Sequence, residues 1–449
     1  MKFYDRTGEI GELRRIRNLS FNDHARMTVV TGRRRIGKTV LIAKAMEDAP
    51  VVYFFVGRKN EAPLCAEFAA VASQALGAYI PGEVRNFQSL FRYLMESAEQ
   101  RPFTLVIDEF QEFVNINGSV YSDMQNIWDR HKDRSRMNLI LCGSVYSLME
   151  KIFKNSKEPL FGRADNILRL SPFNLGTLKE ILKDHRPGFR NDDLLAFYAF
   201  TGGIPKYIEL LCGNSSLTVN GMIDFMVRKD SPFIEEGKYL LIEEFDKNYG
   251  MYFSILSAVS AGINTQGAIE AAVGDKSTGG QIRRLIEDYR VLSRKRPLLA
   301  KEGTHAVRYE IADNFLQFWF NFFDRYRSLI EVENFPALNK LIKANYQTYS
   351  GRILERYFRQ QLSETGNYRA VGGWWLGRRR ANAGEEGTDQ HKIDILALRL
   401  EENRALAVEV KRQKKKFNPA LLNAKIEFLE RKVLPGYEIE GRCLSLEDM

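Results

Sequence analysis

VVTGRRRIGKTVLIAKAM (residues 29–46) joins an apolar run, a basic loop flanked by glycines and an apolar-periodic segment. Met27 to Thr31 reads as a buried strand. Thr39 to Met46 reads as a helix, with Val40, Leu41, Ala43 and Met46 at helical spacing. Between them, Gly32-Arg33-Arg34-Arg35-Ile36-Gly37-Lys38-Thr39 fits G-x-x-x-x-G-K-[ST] in full. In such a loop successive backbone N–H groups point inward and the next helix presents its positive end, which together cradle phosphates. Lys38 is then the cation for the β- and γ-phosphates, the Thr39 hydroxyl a ligand for Mg²⁺, and Gly32 to Val40 the nucleotide-binding segment. A tight turn on a basic surface is the plainer reading, and the rest of the chain must decide between the two.

A second stretch, RPFTLVIDEFQEF, is an apolar strand ending in Asp108-Glu109. Beside a phosphate cradle, Asp108 binds Mg²⁺ through water and Glu109 polarises the attacking water. A third strand, MNLILCGSV (residues 137–145), ends at Ser144, the position of a γ-phosphate sensor, although a turn serine explains it equally well. PLFGRADNILRL offers Arg163 as a candidate arginine finger, in cis or in trans.

The 449 residues, 44% hydrophobic and 27% charged, predict a globular chain of two to four domains. No stretch approaches the roughly 20 apolar residues of a membrane span. MKFYDRTGEIGELRRIR lacks the apolar core of a secretory signal, so no membrane partner is expected. Cys65, Cys142, Cys212 and Cys443 show no CxxC spacing, which argues against disulfides or zinc and for a reduced, cytoplasmic setting. The formal charge of +9 suits a polyanionic partner without requiring one.

Phe3, Arg6, Glu9 and Leu13 resemble the F-x-x-R-x-x-E-x-x-x-L opening of AAA+ and STAND-type ATPases. TGGIPKYIELL, with Gly203 and Pro205, resembles the G-x-P motif of STAND-type lids. With LFGR, these features make residues 1 to 230 similar to the archaeal-type ATPases. The resemblance implies ATP as ligand, an opening segment beside the base and Pro205 against the nucleotide. Arg33 to Arg35 make the cradle unusually basic for that family, a departure compatible with phosphate binding.

From Tyr252 the pattern turns to short helices, YFSILSAVSAG, NTQGAIEAAVG and STGGQIRRLIEDYR, with Gly262 and Gly274 as stops. They lead into VLSRKRPLLAKEGTHAVRYEI, and the whole looks like a winged helix-turn-helix with Gly303 at the wing tip. In a DNA-binding reading Lys276, Arg283, Arg284 and Arg290 face a groove, and Lys295 and Arg296 the backbone. The alternative is a lid or docking module whose arginines face solvent or neighbouring domains. RYEIADNFLQFWFNFFDRYR, close to the resembling family's YRISDxFLRFWF, is aromatic nearly all round and is expected to be a buried joint.

The tail has a different pattern. YSGRILERYFRQQL is helical and carries Glu355; GWWLGRRR and a charged loop follow; KIDILAL carries Asp394 and ALAVEVK carries Glu409 and Lys411. This order, with Asp…E-x-K, resembles the PD-(D/E)xK nuclease superfamily. Glu409 and Lys411, two apart on a strand, share a face. Asp394 and Glu409 would share one Mg²⁺, Glu355 would complete the shell and Lys411 would neutralise the transition state. The basic run KRQKKKFNP suits a nucleic-acid backbone or a merely solvated loop.

The expected fold is α/β: a P-loop NTPase parallel sheet (1–172), a helical lid (173–235), a winged helix-turn-helix with joint helix (236–330) and a restriction-endonuclease-like domain (331–449). The expected function is an ATPase that couples nucleotide state to nucleic-acid engagement, with ATP, Mg²⁺ and DNA as partners. The alternatives are an ATP-controlled metal-dependent nuclease and a STAND-like protein-interaction switch. The oligomeric state is not read from the sequence.

Overall fold

The computed structural model describes the chain except residues 1, 81, 214–216, 246–248, 275–276, 302, 304–305, 377–390 and 401–402. Lys276, most of the charged loop after the paired tryptophans and the turn at Glu401-Glu402 therefore lie outside the described residues. Phe3–Pro172 form one compact unit; Phe173–Met449, with Lys2, form the other.

In the first unit, β1 (Arg26–Gly32), β2 (Val51–Phe55), β3 (Thr104–Asp108), β4 (Asn138–Gly143) and β5 (Asn166–Leu170) form one sheet in the order β2-β3-β4-β1-β5. Every pairing is parallel. The central strands read as continuous apolar runs because helices cover both faces of such a sheet. Met27, Val29, Val30, Leu105, Ile107, Leu139 and Leu141 are all fully buried. The register sets Thr31 beside Gly143, and Ile107 beside Leu141. The carboxyl ends of β1, β4 and β3 thus stand side by side, with β4 between the two strands that carry the chemistry.

The second unit begins with helices and continues through Tyr249–Ser260, Gln266–Ala272 and Gly279–Glu287 into a hairpin of β6 (Leu292–Lys295) and β7 (Arg308–Ile311). Gly262 and Gly274, with φ of 96° and 92°, end the first two of these helices in a conformation that other residues resist. A 30-residue helix, Phe335–Glu364, leads to a four-stranded sheet in the order β11-β10-β9-β8. These strands are β8 (Tyr368–Trp374), β9 (Ile393–Arg399), β10 (Arg404–Lys411) and β11 (Glu438–Ser445). β8, β9 and β10 are antiparallel neighbours. The helix Pro419–Lys432 then crosses over to bring β11 parallel to β10.

The aromatic segment is the hinge of this packing. Asn314–Trp319 is α-helical and Phe320–Asp324 widens to a π-turn. Phe315 meets Tyr207, Phe318 meets Phe200, Phe320 meets Phe253, and Phe322 meets Tyr349. Three groups of helices therefore pack on one short element, which is why it is aromatic over most of its surface, with Gln317, Asn321 and Asp324 left half-buried along one side.

Candidate functional site

The loop after β1 is shaped by its glycines. A side chain on Gly32 would stand 3.0 Å from Ile36 and 3.1 Å from Leu170, and Gly37 holds φ 88° at the start of the helix Lys38–Ala45. Within this turn the Lys38 ammonium donates to the carbonyls of Gly32 (2.9 Å) and Arg33 (3.3 Å) and is almost fully buried. A lysine in such a position points its charge into the loop. Arg33, Arg34 and Arg35 are half-buried, Ile36 is packed beneath them, and the Val40 side chain faces solvent.

Across the sheet end, four uncharged side chains and one backbone amide hold two carboxylates. Asp108, 5% exposed, accepts at Oδ2 from the Thr39 hydroxyl (2.9 Å) and the Tyr53 phenol (2.5 Å), and at Oδ1 from the Glu109 amide (2.9 Å). Burial, and then the Asp108 carboxylate, push the Tyr53 phenol far above its ordinary range, so it remains a donor. Glu109, in the left-handed region at φ 54°, accepts at Oε2 from Ser144 Oγ (2.8 Å) and Gln111 Nε2 (2.6 Å). Lys38, Thr39, Asp108, Glu109 and Ser144, read separately from the sequence, are thus linked through neighbouring strand ends. Thr39 and Asp108 together offer hard oxygen donors of the kind Mg²⁺ prefers, so this pair fits the ion. Sequence reasoning missed Tyr53 and Gln111. Tyr53 lies in the apolar run VVYFF, and Gln111 two residues past Glu109; nothing local marked either.

Arg163 requires a correction. Its guanidinium is held by the Asp129 carboxylate (2.8 and 3.1 Å) and by the carbonyls of Pro159 and Phe161. It precedes β5, whose first residue, Asn166, pairs with Thr28, while Leu170 pairs with Gly32 at the cradle end. Four residues of strand, about 13 Å, lie between those two levels, and Arg163 lies beyond the far one. A finger in cis is excluded by the length of the sheet. Arg6 instead joins the cradle end, donating to the carbonyl of Ser171 and to Glu9. Pro205 belongs to the other unit, where it opens the helix Pro205–Cys212 after Gly202 and Gly203, both at positive φ.

The tail carboxylates have cationic partners. Lys392 Nζ lies 2.9 Å from Asp394 Oδ1 and 3.6 Å from Glu355 Oε2, and Arg359 pairs with the other oxygen of Glu355. Asp394 Oδ2 accepts from the amide of Val410 (3.0 Å). Glu409 is bound by Lys411 (2.8 Å) and by Lys425 (3.1 Å), which is 6% exposed. Asp394 and Glu409 follow directly on the last register pair, Val408 with Ile395, so both stand where β9 and β10 stop pairing. Burial, with Asp394 adding to it, raises the Glu355 carboxyl despite Lys392 and Arg359. Burial pulls Lys392 down, but Glu355 and Asp394 hold it above its ordinary value, so it stays charged. Among the described residues no three acidic, histidine or cysteine side chains are placed to hold a metal ion. Lys392 and Lys425 were not foreseen; the first lies two residues before Asp394, and the second arrives from a later helix.

Several cations of the helix–hairpin module also have internal partners. Arg283 pairs with Glu287 (2.7 Å), Lys295 with Glu310 (2.7 Å), and Arg284 donates to the Tyr252 phenol. Lys414, Lys415 and Lys416 form an exposed turn immediately after β10.

Residues 3–211 match a family described as an ATPase domain predominantly from Archaea, and residues 319–421 a family of archaeal and bacterial proteins of unknown function. An uncharacterised protein of Methanocaldococcus jannaschii, MJECL04, is 28% identical over 410 residues, 89% of this chain and 86% of the relative. The Walker-type ATPase PABY2304 of Pyrococcus abyssi has a similar fold. Its TM-score is 0.54 at 17% identity, with 71% of this chain and 96% of that chain covered. The ORC2 protein of Aeropyrum pernix, solved with ADPNP and ADP, gives a TM-score of 0.46 at 14% identity over 76% of this chain and 96% of that one. Among the described residues no helix is long and apolar enough to cross a membrane. The ATPase domain over residues 3–211, with its parallel sheet and complete phosphate-loop sequence, makes this chain an ATP-binding P-loop ATPase.

Proposed function

We propose that the protein is an ATPase whose nucleotide state governs binding of a nucleic acid, without cutting it, through its C-terminal half. In this reading the amides of Gly32 to Thr39 and the Lys38 ammonium bind the phosphates, and Ser144 and Glu109 face the γ-phosphate and its water. Thr39 and Asp108 would hold Mg²⁺, which when bound neutralises charge on the phosphates. Glu109 polarises the attacking water by accepting a hydrogen bond from one of its O–H groups. We assign the parts as an ATPase core (1–172), a lid (173–235), a winged helix-turn-helix with its joint (236–330) and a nuclease-like domain (331–449). The order of helices and strands in the last two supports those assignments.

The observation that carries the choice of binding over cutting is the lysine pairing in the tail. With Lys392 between Asp394 and Glu355, and Lys411 and Lys425 on Glu409, the carboxylates are neutralised by the protein itself. Adjacency of Asp394 and Glu409 at the strand ends favours the second reading, an ATP-controlled nuclease in which those two share Mg²⁺ with help from Glu355 and Lys411. The internal partners of Arg283 and Lys295 favour a third, a switch that binds proteins alone. The test is DNA binding by the full chain with ATP or ADP at two salt concentrations, beside plasmid nicking with Mg²⁺ or Mn²⁺. Salt-sensitive, nucleotide-dependent binding without nicks is expected. Nicking lost in Asp394→Ala would establish the second reading, and absence of DNA binding the third.

A further inference from the structure

Gln111 is 1% exposed, and its Oε1 is buried with no hydrogen-bond partner among the described residues. That oxygen points at Gly143, where any side chain would collide with it and stand 2.5 Å from Met149 Sδ. An orphaned buried acceptor is destabilising, so a leucine or methionine would suit this space better on packing grounds alone. What glutamine adds is the other end of the amide. Nε2 donates to Glu109 Oε2 at 2.6 Å, and the Ser144 hydroxyl donates to the same oxygen at 2.8 Å. Among the described residues no group donates to Glu109 Oε1.

We propose that Gln111 is a positioning residue for hydrolysis. With Ser144 it pins Glu109 by Oε2 and leaves Oε1 turned outward for the attacking water. This rests on the reading of Glu109 as the group that polarises water. A carboxylate fixed by two neutral donors keeps its full charge while losing its freedom to rotate, and restricted geometry of this kind is a large share of catalytic effect. Gly143 is the structural counterpart of the device: only a residue without a side chain lets the amide lie flat against β4.

The experiment measures steady-state ATP hydrolysis and nucleotide affinity in the full chain with Mg²⁺ for wild type, Gln111→Leu, Gln111→Glu and Glu109→Gln. Gln111→Leu is expected to lower kcat about 10- to 100-fold and to change ATP affinity less than about twofold. Gln111→Glu keeps the shape and makes the donor titratable. Two adjacent carboxyls share a proton and one pKa is raised. At low pH the introduced carboxyl is protonated and still donates to Glu109; as pH rises through the raised pKa the donor is lost and the two repel. The ratio of mutant to wild-type kcat is therefore expected to fall as pH rises from about 6 to about 8.5. A ratio that is flat or rises with pH, or a Gln111→Leu enzyme with wild-type kcat, overturns the proposal; should Gln111→Leu not fold, the pH ratio decides. Glu109→Gln turning over like wild type would instead remove Glu109 from the mechanism, whatever the Gln111 variants do.

Discussion

The parallel sheet and the tail sheet each gather carboxylates at strand ends, and they balance that charge in opposite ways. At the end of β3, Asp108 is held by Thr39, Tyr53 and a backbone amide, and Glu109 by Ser144 and Gln111; all are neutral donors. At the ends of β9 and β10, Asp394 and Glu409 are held by Lys392, Lys411 and Lys425, with one backbone amide besides. Neutral donors fix position and leave negative charge to be used on a cation or a water. Ammonium groups fix position and cancel the charge. The first arrangement suits chemistry at phosphate, and the second suits a surface that must accept a polyanion near acidic side chains.

The largest effects test the first half of this contrast. Glu109→Gln is expected to keep ATP binding and lower turnover by about 10²- to 10⁴-fold, the usual range for a residue acting on a reacting proton. Lys38→Ala removes a charge-assisted contact to phosphate and is expected to weaken ATP binding by at least about tenfold. Competition with a fluorescent nucleotide measures the second, and phosphate release the first. Wild-type turnover in Glu109→Gln would make the two carboxylate ends equivalent and end the comparison.

Next in size is the tail. Glu409→Ala strands Lys425, which is almost fully buried, so a loss of about 3 kcal/mol in folding stability is expected. ATP turnover per folded molecule should stay unchanged. Replacing Glu409 and Lys425 together by leucine should recover part of that loss, because no charge is then left buried without a partner. Chemical denaturation reads both. Unchanged stability in Glu409→Ala would mean that the lysines do not clamp this carboxylate in solution, which would favour metal binding there.

How much of this was legible beforehand follows from where the information sits in the chain. Gly32 to Thr39 is a local pattern, and Asp108-Glu109 and Ser144 each end an apolar run, so strand ends could be found without knowing their order. The order matters for the rest. Tyr53 reaches Asp108 only because β2 pairs with β3, with Phe55 beside Asp108, a register that no local pattern contains. Arg163 fails as a finger in cis because nearness in sequence to β5 says nothing about which end of the sheet it occupies. In the tail, the Asp…E-x-K spacing marked Asp394, Glu409 and Lys411 but not the cations that answer them. Lys425 comes from a helix sixteen residues past Glu409, and a basic residue in a helix is ordinary until its neighbour is known.

Salt dependence sharpens the comparison at the level of surface charge. Lys414, Lys415 and Lys416 are exposed on one turn beside the tail sheet. Replacing all three by alanine should flatten the salt dependence of DNA binding by up to about 0.9 per lost contact in the log–log slope. The Arg283, Arg284 and Lys295 triple alanine variant should flatten it less, since Glu287, Tyr252 and Glu310 already engage those cations. The reverse ranking would assign the contact to the helix–hairpin module.

The smallest effect concerns the pH dependence of stability, and Glu355 isolates it. Burial, reinforced by Asp394, raises its carboxyl above the ordinary 4.5, although Lys392 and Arg359 oppose the shift. A carboxyl with a raised folded-state pKa binds its proton more tightly when folded. Its contribution to stability is therefore full below the unfolded pKa and lost as pH rises through the folded one. Glu355→Gln cannot titrate and lacks this dependence. The Tm of wild type relative to Glu355→Gln is thus expected to fall as pH is raised from about 4 to about 7. A relative Tm that rises over that range would mean that Lys392 and Arg359 outweigh burial. Glu355 would then be governed by its two cationic neighbours rather than by its burial.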